Sequence, residues 1–112
     1  MQQFHDTYGT ALSNIYASLS LGLRVFDTSI SGLGGCPYAP GATGNVATED
    51  VVHALQAAGS KYAIEGNPNL EALVEIGEWI SGMLGRVNAS RAGRAVSARK
   101  SREKKKEAEK TK

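Results

Sequence analysis

The spacing of apolar residues predicts alternating strands and helices along the first two thirds of the chain. Residues 1–8 are typical of the end of a strand that enters a turn at Gly9. Apolar residues then recur at helical spacing and predict a first amphipathic helix, at Leu12, Ile15, Tyr16, Leu19 and Leu23. Thr10 is its candidate N-cap, and Gly22 lies near its expected end. The β-branched and aromatic run 24–30 predicts a strand.

A second helix is expected after a loop that is rich in glycine and proline. It should begin between residues 47 and 49, because Asn45 and Thr48 are both good capping residues. Glu49 and Asp50 suit the positive end of a helix dipole. Val51, Val52, Leu55 and Ala58 form its apolar side, and Gly59 should end it.

A third helix is predicted after residue 67. Asn67 and Pro68 are expected to start it as a cap and a first-turn proline, and Gly85 should end it. Its apolar positions are Leu70, Leu73, Val74, Ile76, Ile80, Met83 and Leu84. The order strand, helix, strand, helix, helix is typical of βα repeats around a parallel sheet, so the fold class is α/β.

The charge distribution divides the chain into two parts. Residues 1–88 carry three basic and eight acidic side chains, a net charge of −5, whereas residues 89–112 carry ten basic and three acidic ones, a net charge of +7. The second part lacks the apolar residues needed to offset the entropy of ordering it. We therefore expect one folded domain over 1–88 and a disordered basic tail over 89–112, with transient helix formation in the tail as the alternative. Electrostatic binding of nucleic acid is the alternative to a solvated tail, but interleaved glutamates and missing aromatic residues argue against specific recognition.

Composition restricts the setting of the protein. The single cysteine excludes an internal disulfide framework and favours a reducing environment. No apolar run approaches the roughly 18 residues of a membrane span, so we expect no membrane partner. No amino-terminal targeting signal is visible in this chain.

The stretch 31–50 holds the residues that point to chemistry. It contains five of the thirteen glycines, two of the three prolines and the only cysteine, Cys36. A loop of this kind between a strand and a helix often carries function in α/β proteins. Its sequence is Gly-Leu-Gly-Gly-Cys-Pro-Tyr-Ala over 32–39 and Gly-Ala-Thr-Gly-Asn-Val-Ala-Thr-Glu-Asp over 41–50. Upstream, residues 5–9 read His-Asp-Thr-Tyr-Gly.

These two motifs, in this order and at this distance, resemble those of the 3-hydroxy-3-methylglutaryl-CoA lyases. The likeness runs from about Phe4 to about Arg86. The family fold is an eight-stranded β/α TIM barrel, which needs roughly 250 residues. The resemblance therefore implies a partial (β/α)8 barrel that comprises the last βα units, from the end of strand 7 to helix 8.

The resemblance also implies a function. The family cleaves 3-hydroxy-3-methylglutaryl-CoA to acetoacetate and acetyl-CoA in leucine catabolism and ketone-body formation, in the mitochondrial matrix. The implied partner is an acyl-CoA substrate, and a homodimer is left open. Because one complete strand and a partial one cannot close a barrel, we expect these 112 residues alone to lack lyase activity. The alternative is a non-catalytic interaction protein that docks as a split-barrel piece on a partner chain.

Three residues match functional positions of the family. His5 and Asn45 correspond to ligands of a divalent cation, Mg²⁺ or Mn²⁺, which accepts imidazole nitrogen and amide oxygen. Cys36 corresponds to an acid/base residue, a role that a thiol can fill when its pKa approaches neutrality. Considered without the resemblance, His5 is more often a structural histidine, and Asn45 is as well explained as a helix cap. A lone cysteine is usually a small buried apolar residue, but the glycine-rich loop around Cys36 argues against that explanation.

The sequence departs from the family pattern at the proposed metal site. Gln3 stands where the family has a second ligand histidine, on the same strand face as His5. The family also uses an aspartate and an arginine from the first barrel strand, which this chain does not contain. We expect Asp6 to position His5 and His53 to be a surface residue. Glu49 is expected to serve the helix dipole, with the orientation of a metal ligand as the alternative.

Overall fold

The computed structural model of the chain describes residues 2–6, 8–34, 44–57 and 61–110, and it begins with a strand–helix–strand unit. Strand β1 (Gln2–Gln3) pairs in parallel with strand β2 (Phe26–Asp27), with Gln2 opposite Phe26. Helix α1 (Ala11–Ser20) connects them. This is the βα repeat with parallel pairing that the sequence predicted, although the second strand is shorter than the run 24–30.

Helix α1 lies at the centre of the apolar core. Its buried residues are Ala11, Ile15 and Leu19, which share one face of the helix. They form a cluster with Val46, Val51 and Leu55, and partly buried Phe4 and Phe26 pack against it. Thr10 precedes the helix as predicted but makes no capping hydrogen bond with its side chain. Instead, Asp6 Oδ1 accepts a hydrogen bond from the Ala11 amide at 3.2 Å.

The second helix begins where it was expected, but neither of the predicted capping residues, Asn45 and Thr48, is its N-cap. Helix α2 (Thr48–Val52) continues into a π-helical segment (His53–Ala57), and its N-cap residue is Ala47. Thr48 Oγ1 hydrogen-bonds Thr28 Oγ1 at 2.7 Å, which ties the helix to the strand region. The side-chain amide of Asn45 donates a hydrogen bond to the Leu33 carbonyl instead. The predicted end at Ala58 and Gly59 lies outside the described residues.

Helix α3 (Leu70–Leu84) has nearly the predicted bounds, and it ends at Gly85 in the left-handed conformation. The predicted start at Asn67 and Pro68 is wrong, because the N-cap is Asn69, whose side chain accepts a hydrogen bond from the Ala72 amide at 3.1 Å. The helix buries Val74, Gly77 and Ser81. Several of its large apolar side chains are exposed instead, among them Ile76, Trp79, Met83 and Leu84.

The predicted disordered tail is a helix in the structure. Helix α4 (Arg91–Lys110) buries Gly93 and Val96, and the residues before it, Asn88 and Ser90, are also buried. The prediction counted apolar residues only, whereas polar hydrogen bonds attach this segment to the body. The predicted boundary between 88 and 89 therefore does not separate a folded part from an unfolded one. None of the helices in the described ranges is both long and apolar enough to cross a membrane.

Candidate functional site

The two predicted metal ligands are neighbours in the structure. The backbones of His5 and Asn45 form an isolated antiparallel bridge. On either side of it, the Val46 amide donates to the Phe4 carbonyl at 3.0 Å, and the Asp6 amide donates to the Gly44 carbonyl at 3.3 Å. The segment after β1 is thus paired with the segment that enters α2. This pairing brings together two residues that are far apart in sequence.

The side-chain atoms at this bridge suit a divalent cation. Both side chains are half-buried, and His5 Nδ1 is a buried nitrogen with no hydrogen-bond partner among the described residues. Asn45 Nδ2 donates to the Leu33 carbonyl at 3.2 Å. Its amide oxygen is the kind of ligand atom that a hard cation binds. In the described ranges, no three His, Cys, Asp or Glu side chains lie close enough together to hold an ion. His5 and Asn45 therefore fit part of a coordination sphere.

The base of the glycine-rich loop is closed by a backbone contact. Gly44 has φ +123°, and a β-carbon there would collide with the Gly32 carbonyl oxygen and lie 2.7 Å from that of Gly34. Only glycine permits this approach. The two ends of the loop are therefore held together next to Asn45. Cys36 itself lies outside the described residues, and its acid/base role stays a prediction.

Glu49 is part of a buried polar network that the sequence did not predict. Its side chain is fully buried, and Oε1 accepts a hydrogen bond from the Ser31 amide at 2.8 Å. Oε2 is buried without a partner among the described residues. Burial raises the pKa of the Glu49 carboxyl, the Ser31 hydrogen bond opposes this rise, and the nearby charge of Asp50 adds to it. The prediction that Glu49 serves the helix dipole is therefore incomplete, since its carboxyl group also holds the start of the glycine-rich loop.

The same network extends from Ser31 to the end of α3. Ser31 has a left-handed backbone (φ 59°), and its hydroxyl lies within hydrogen-bond distance of Ser81 Oγ and donates to Asn88 Oδ1 at 2.9 Å. Asn88 Nδ2 in turn donates to Glu78 Oε1 at 3.0 Å. These contacts fix the strained turn that precedes the loop.

Asp50 attaches α4 to this region. Asp50 Oδ1 accepts hydrogen bonds from Ser90 Oγ and from the Ala92 amide, both at 2.8 Å. Ser90 Oγ also accepts from the Gly93 amide at 2.9 Å, so Ser90 acts as the N-cap of α4. A serine just before a helix-compatible run was the signal in the sequence that would have predicted this helix start.

A cavity of about 410 Å³ opens beside Asn45. Asp6, Gly9 and Gly32 contribute to its wall from the strand side, and Asp50, Arg91 and Arg94 contribute from α2 and α4. His53 lies apart on the exposed surface of its helical segment, as predicted.

Comparison with known proteins decides the family. The sequence model of the HMGL-like family matches residues 2–80. The chain belongs to the HMGL-like family. Hydroxymethylglutaryl-CoA lyase of Pseudomonas mevalonii is 51% identical over 100 residues, which are 89% of this chain and 32% of that protein. A mitochondrial hydroxymethylglutaryl-CoA lyase of Arabidopsis thaliana is 53% identical over 96 residues, 86% of this chain and 20% of that protein.

Solved structures of this family match the fold of the chain. A hydroxymethylglutaryl-CoA lyase from Pseudomonas aeruginosa superimposes with a TM-score of 0.75 at 54% identity, over 87% of this chain and 31% of that one. An HMG-CoA lyase from Acinetobacter baumannii, in complex with coenzyme A and 3-methylmalate, gives a TM-score of 0.71 at 39% identity, over 83% and 29% of the two chains. The chain thus spans about a third or less of the length of these relatives.

Proposed function

We propose that this HMGL-like chain forms the last βα units of a TIM barrel, from the end of strand 7 to helix 8, and that the barrel cleaves 3-hydroxy-3-methylglutaryl-CoA to acetoacetate and acetyl-CoA. The observation that carries the proposal is the bridge between His5 and Asn45 beside the closed base of the glycine-rich loop. It lies inside a segment that is about half identical to hydroxymethylglutaryl-CoA lyases.

In this proposal, the chain contributes two ligands and one proton-transfer group. His5 and Asn45 hold a Mg²⁺ or Mn²⁺ ion, which when bound would polarise the substrate oxygen and lower the pKa of the tertiary hydroxyl. Gln3 replaces a family ligand on this strand, so the rest of the coordination comes from the first barrel strand or from solvent.

The reaction needs two proton transfers. A base takes the proton of the tertiary hydroxyl, the carbon–carbon bond breaks toward the thioester, and the electron pair forms the enolate of acetyl-CoA. An acid then protonates the enolate carbon. Cys36 is proposed for this acid/base work. The supporting observation is that the two described ends of the loop that contains it meet beside Asn45, through Gly32, Gly34 and Gly44.

A chimeric enzyme tests the lyase proposal. In it, residues 2–110 of this chain replace the segment of the Pseudomonas aeruginosa lyase that contains the 96 matched residues. We expect the chimera to cleave 3-hydroxy-3-methylglutaryl-CoA with Mg²⁺, and Cys36→Ala to lower its kcat by about a hundred-fold, an ordinary loss for an acid/base residue. The isolated 112-residue chain should show no turnover, because β2 pairs only with β1 in the described part of the fold. A folded but inactive chimera would contradict the proposal.

Exposed apolar side chains support the split-barrel alternative. Ile76, Trp79 and Met83 lie on one face of α3 and are 51%, 64% and 70% exposed. We propose that a chain carrying the remaining βα units covers this face. Co-purification with strands 1 to 6 of the Pseudomonas aeruginosa lyase should succeed and shift Trp79 fluorescence to shorter wavelength. Trp79→Ser should weaken the co-purification. Tyr8→Ser, at another exposed aromatic residue, is the control and should co-purify like the wild type. Location in the mitochondrial matrix and homodimer formation stay predictions.

A further inference from the structure

We propose that Arg91 and Arg94 form an anion-binding edge of the cavity beside Asn45, and that they hold an anionic group of an acyl-CoA. The inference rests on the proposed function. Both arginines line the same cavity as Asn45, Gly9 and Gly32. Arg91 Nη2 lies 3.3 Å from the position that a β-carbon would take on Gly9. Its guanidinium therefore covers the turn that directly follows the His5 segment.

Buried hydrogen bonds fix the backbone that carries the two arginines. Ser90 is fully buried, and its hydroxyl donates to Asp50. The Ala92 amide donates to the same carboxylate oxygen, and Val96 is buried one turn later. The first turn of α4 is thus held against α2, with Arg91 and Arg94 projecting from it on exposed side chains. Because this backbone is already fixed, only the two arginine side chains lose freedom when they bind a ligand, which lowers the entropy cost of binding.

The two carboxylates of the cavity do not neutralise these arginines through ion pairs. Asp50 Oδ1 is occupied by Ser90 and Ala92, and Asp6 Oδ1 accepts from the Ala11 amide. Across the residues that the structure describes, neither Arg91 nor Arg94 forms a salt bridge with an acidic side chain. Other cations of α4 do: Lys100 pairs with Glu71 and Glu75, and Arg99 pairs with Glu103.

The guanidinium group defines the chemistry of the ligand. Its planar fork of N–H donors matches the geometry of carboxylate and phosphate oxygens. A 3-hydroxyacyl-CoA with a terminal carboxylate carries such oxygens at both ends, on the acyl chain and on the phosphates of coenzyme A. In either case the arginines bind an oxyanion of the thioester substrate. The carboxylate and the phosphates predict different results in a binding test.

The test uses the chimeric enzyme with the double variant Arg91→Gln, Arg94→Gln. We expect its KM for 3-hydroxy-3-methylglutaryl-CoA to rise about ten-fold or more, with kcat changed less than about two-fold, because uniform binding is lost rather than transition-state binding. Arg102→Gln, on the exposed part of the same helix, is the matched control and should leave KM unchanged. Circular dichroism verifies that the variants fold.

Isothermal titration with three probes identifies which oxyanion is bound. If the arginines hold the acyl carboxylate, the double variant loses affinity for 3-methylmalate and keeps its affinity for coenzyme A. If they hold the 3′-phosphate, it loses affinity for coenzyme A and keeps that for dephospho-coenzyme A. If they hold the diphosphate, affinity for both nucleotides falls. Any of these results supports the inference.

The inference is overturned if the chimera is active and its double variant has the same KM and the same affinities as the Arg102→Gln control. That result does not affect the lyase proposal. A folded chimera without turnover contradicts the lyase proposal instead. In that case the titrations with coenzyme A and 3-methylmalate still decide whether the arginine pair binds an oxyanion.

Discussion

The backbone amide of Ser31 donates a hydrogen bond to the fully buried carboxyl group of Glu49, over 2.8 Å. The two residues lie on opposite ends of the glycine-rich loop, one before it and one in the first turn of α2. Their contact therefore fixes the geometry of the loop ends next to Asn45. It also places an ionisable group where ionisation is unfavourable, which makes the stability of this region sensitive to pH.

The first prediction concerns this pH dependence. Below the ordinary Glu pKa of 4.5, the carboxyl is protonated in both the folded and the unfolded chain. Because the folded pKa is raised, the folded state binds more protons above that pH, and stability falls as pH rises through the folded pKa. Each unit of elevation corresponds to about 1.4 kcal/mol. Glu49→Gln removes this loss. Urea unfolding at increasing pH, starting near pH 4, should therefore show the free energy of unfolding of the variant rising relative to that of the wild type.

The control for this prediction is Glu65→Gln, since Glu65 is exposed. Its free energy of unfolding relative to wild type should stay constant over the same range. A Glu49→Gln variant whose relative stability is equally independent of pH would show that the carboxyl is not held in an unfavourable charged state.

The second prediction compares two glycines of α3. A β-carbon on Gly77 would collide with Glu49 Oε2, whereas one on Gly82 would meet nothing within 4 Å. Gly77→Ala should lower the free energy of unfolding by about 1–3 kcal/mol through overpacking. Gly82→Ala should raise it by about 1 kcal/mol, because alanine is the better helix former. If thermal unfolding showed the same change in stability for Gly77→Ala and Gly82→Ala, the packing of α3 against Glu49 would be contradicted.

The third prediction tests the attachment of α4. Asp50→Ala removes the acceptor of two hydrogen bonds and leaves the buried Ser90 hydroxyl without an acceptor for its proton. The loss should be about 2–4 kcal/mol, since the bonds are made to a charged group. Trypsin should then cut earlier within Arg91–Arg102. The exposed Asp27 provides a control, and Asp27→Ala should change stability by less than about 0.5 kcal/mol. Unchanged trypsin cutting in Asp50→Ala would mean that α4 is held by other contacts.

The fourth prediction addresses the cation in the chimeric enzyme. His5→Ala should lower the affinity for Mn²⁺, and Gln3→His should raise it by about ten-fold or more, equal to about 1.4 kcal/mol. The reason is that imidazole binds such ions more strongly than a neutral amide does. Titration followed by the electron paramagnetic resonance signal of free Mn²⁺ measures the Mn²⁺ affinity of both variants. His53→Ala, at an exposed position, should have no effect. Equal Mn²⁺ affinity in His5→Ala and wild type would remove His5 from the ligand set.

Local sequence determined most of the secondary structure. The helical spacing of Ile15 and Leu19 fixed the buried face of α1, because one apolar stripe dominates that helix. Gly85 fixed the end of α3, because glycine adopts the left-handed conformation without strain. The two motifs around His5 and Asn45 also sufficed to predict the family, since they carry specific residue types in order.

Tertiary structure alone decided which surfaces meet. The sequence of α3 offers several apolar positions, yet the helix buries Val74, Gly77 and Ser81. Gly77 lies against the Glu49 carboxyl group, where a β-carbon would not fit. The basic segment after Asn88 lacks apolar periodicity, yet α4 is ordered because Asp50 accepts hydrogen bonds from its first turn. Likewise, no local signal pairs His5 with Asn45. Hydrogen bonds between residues distant in sequence leave no periodic pattern in the chain, so only the folded structure shows them.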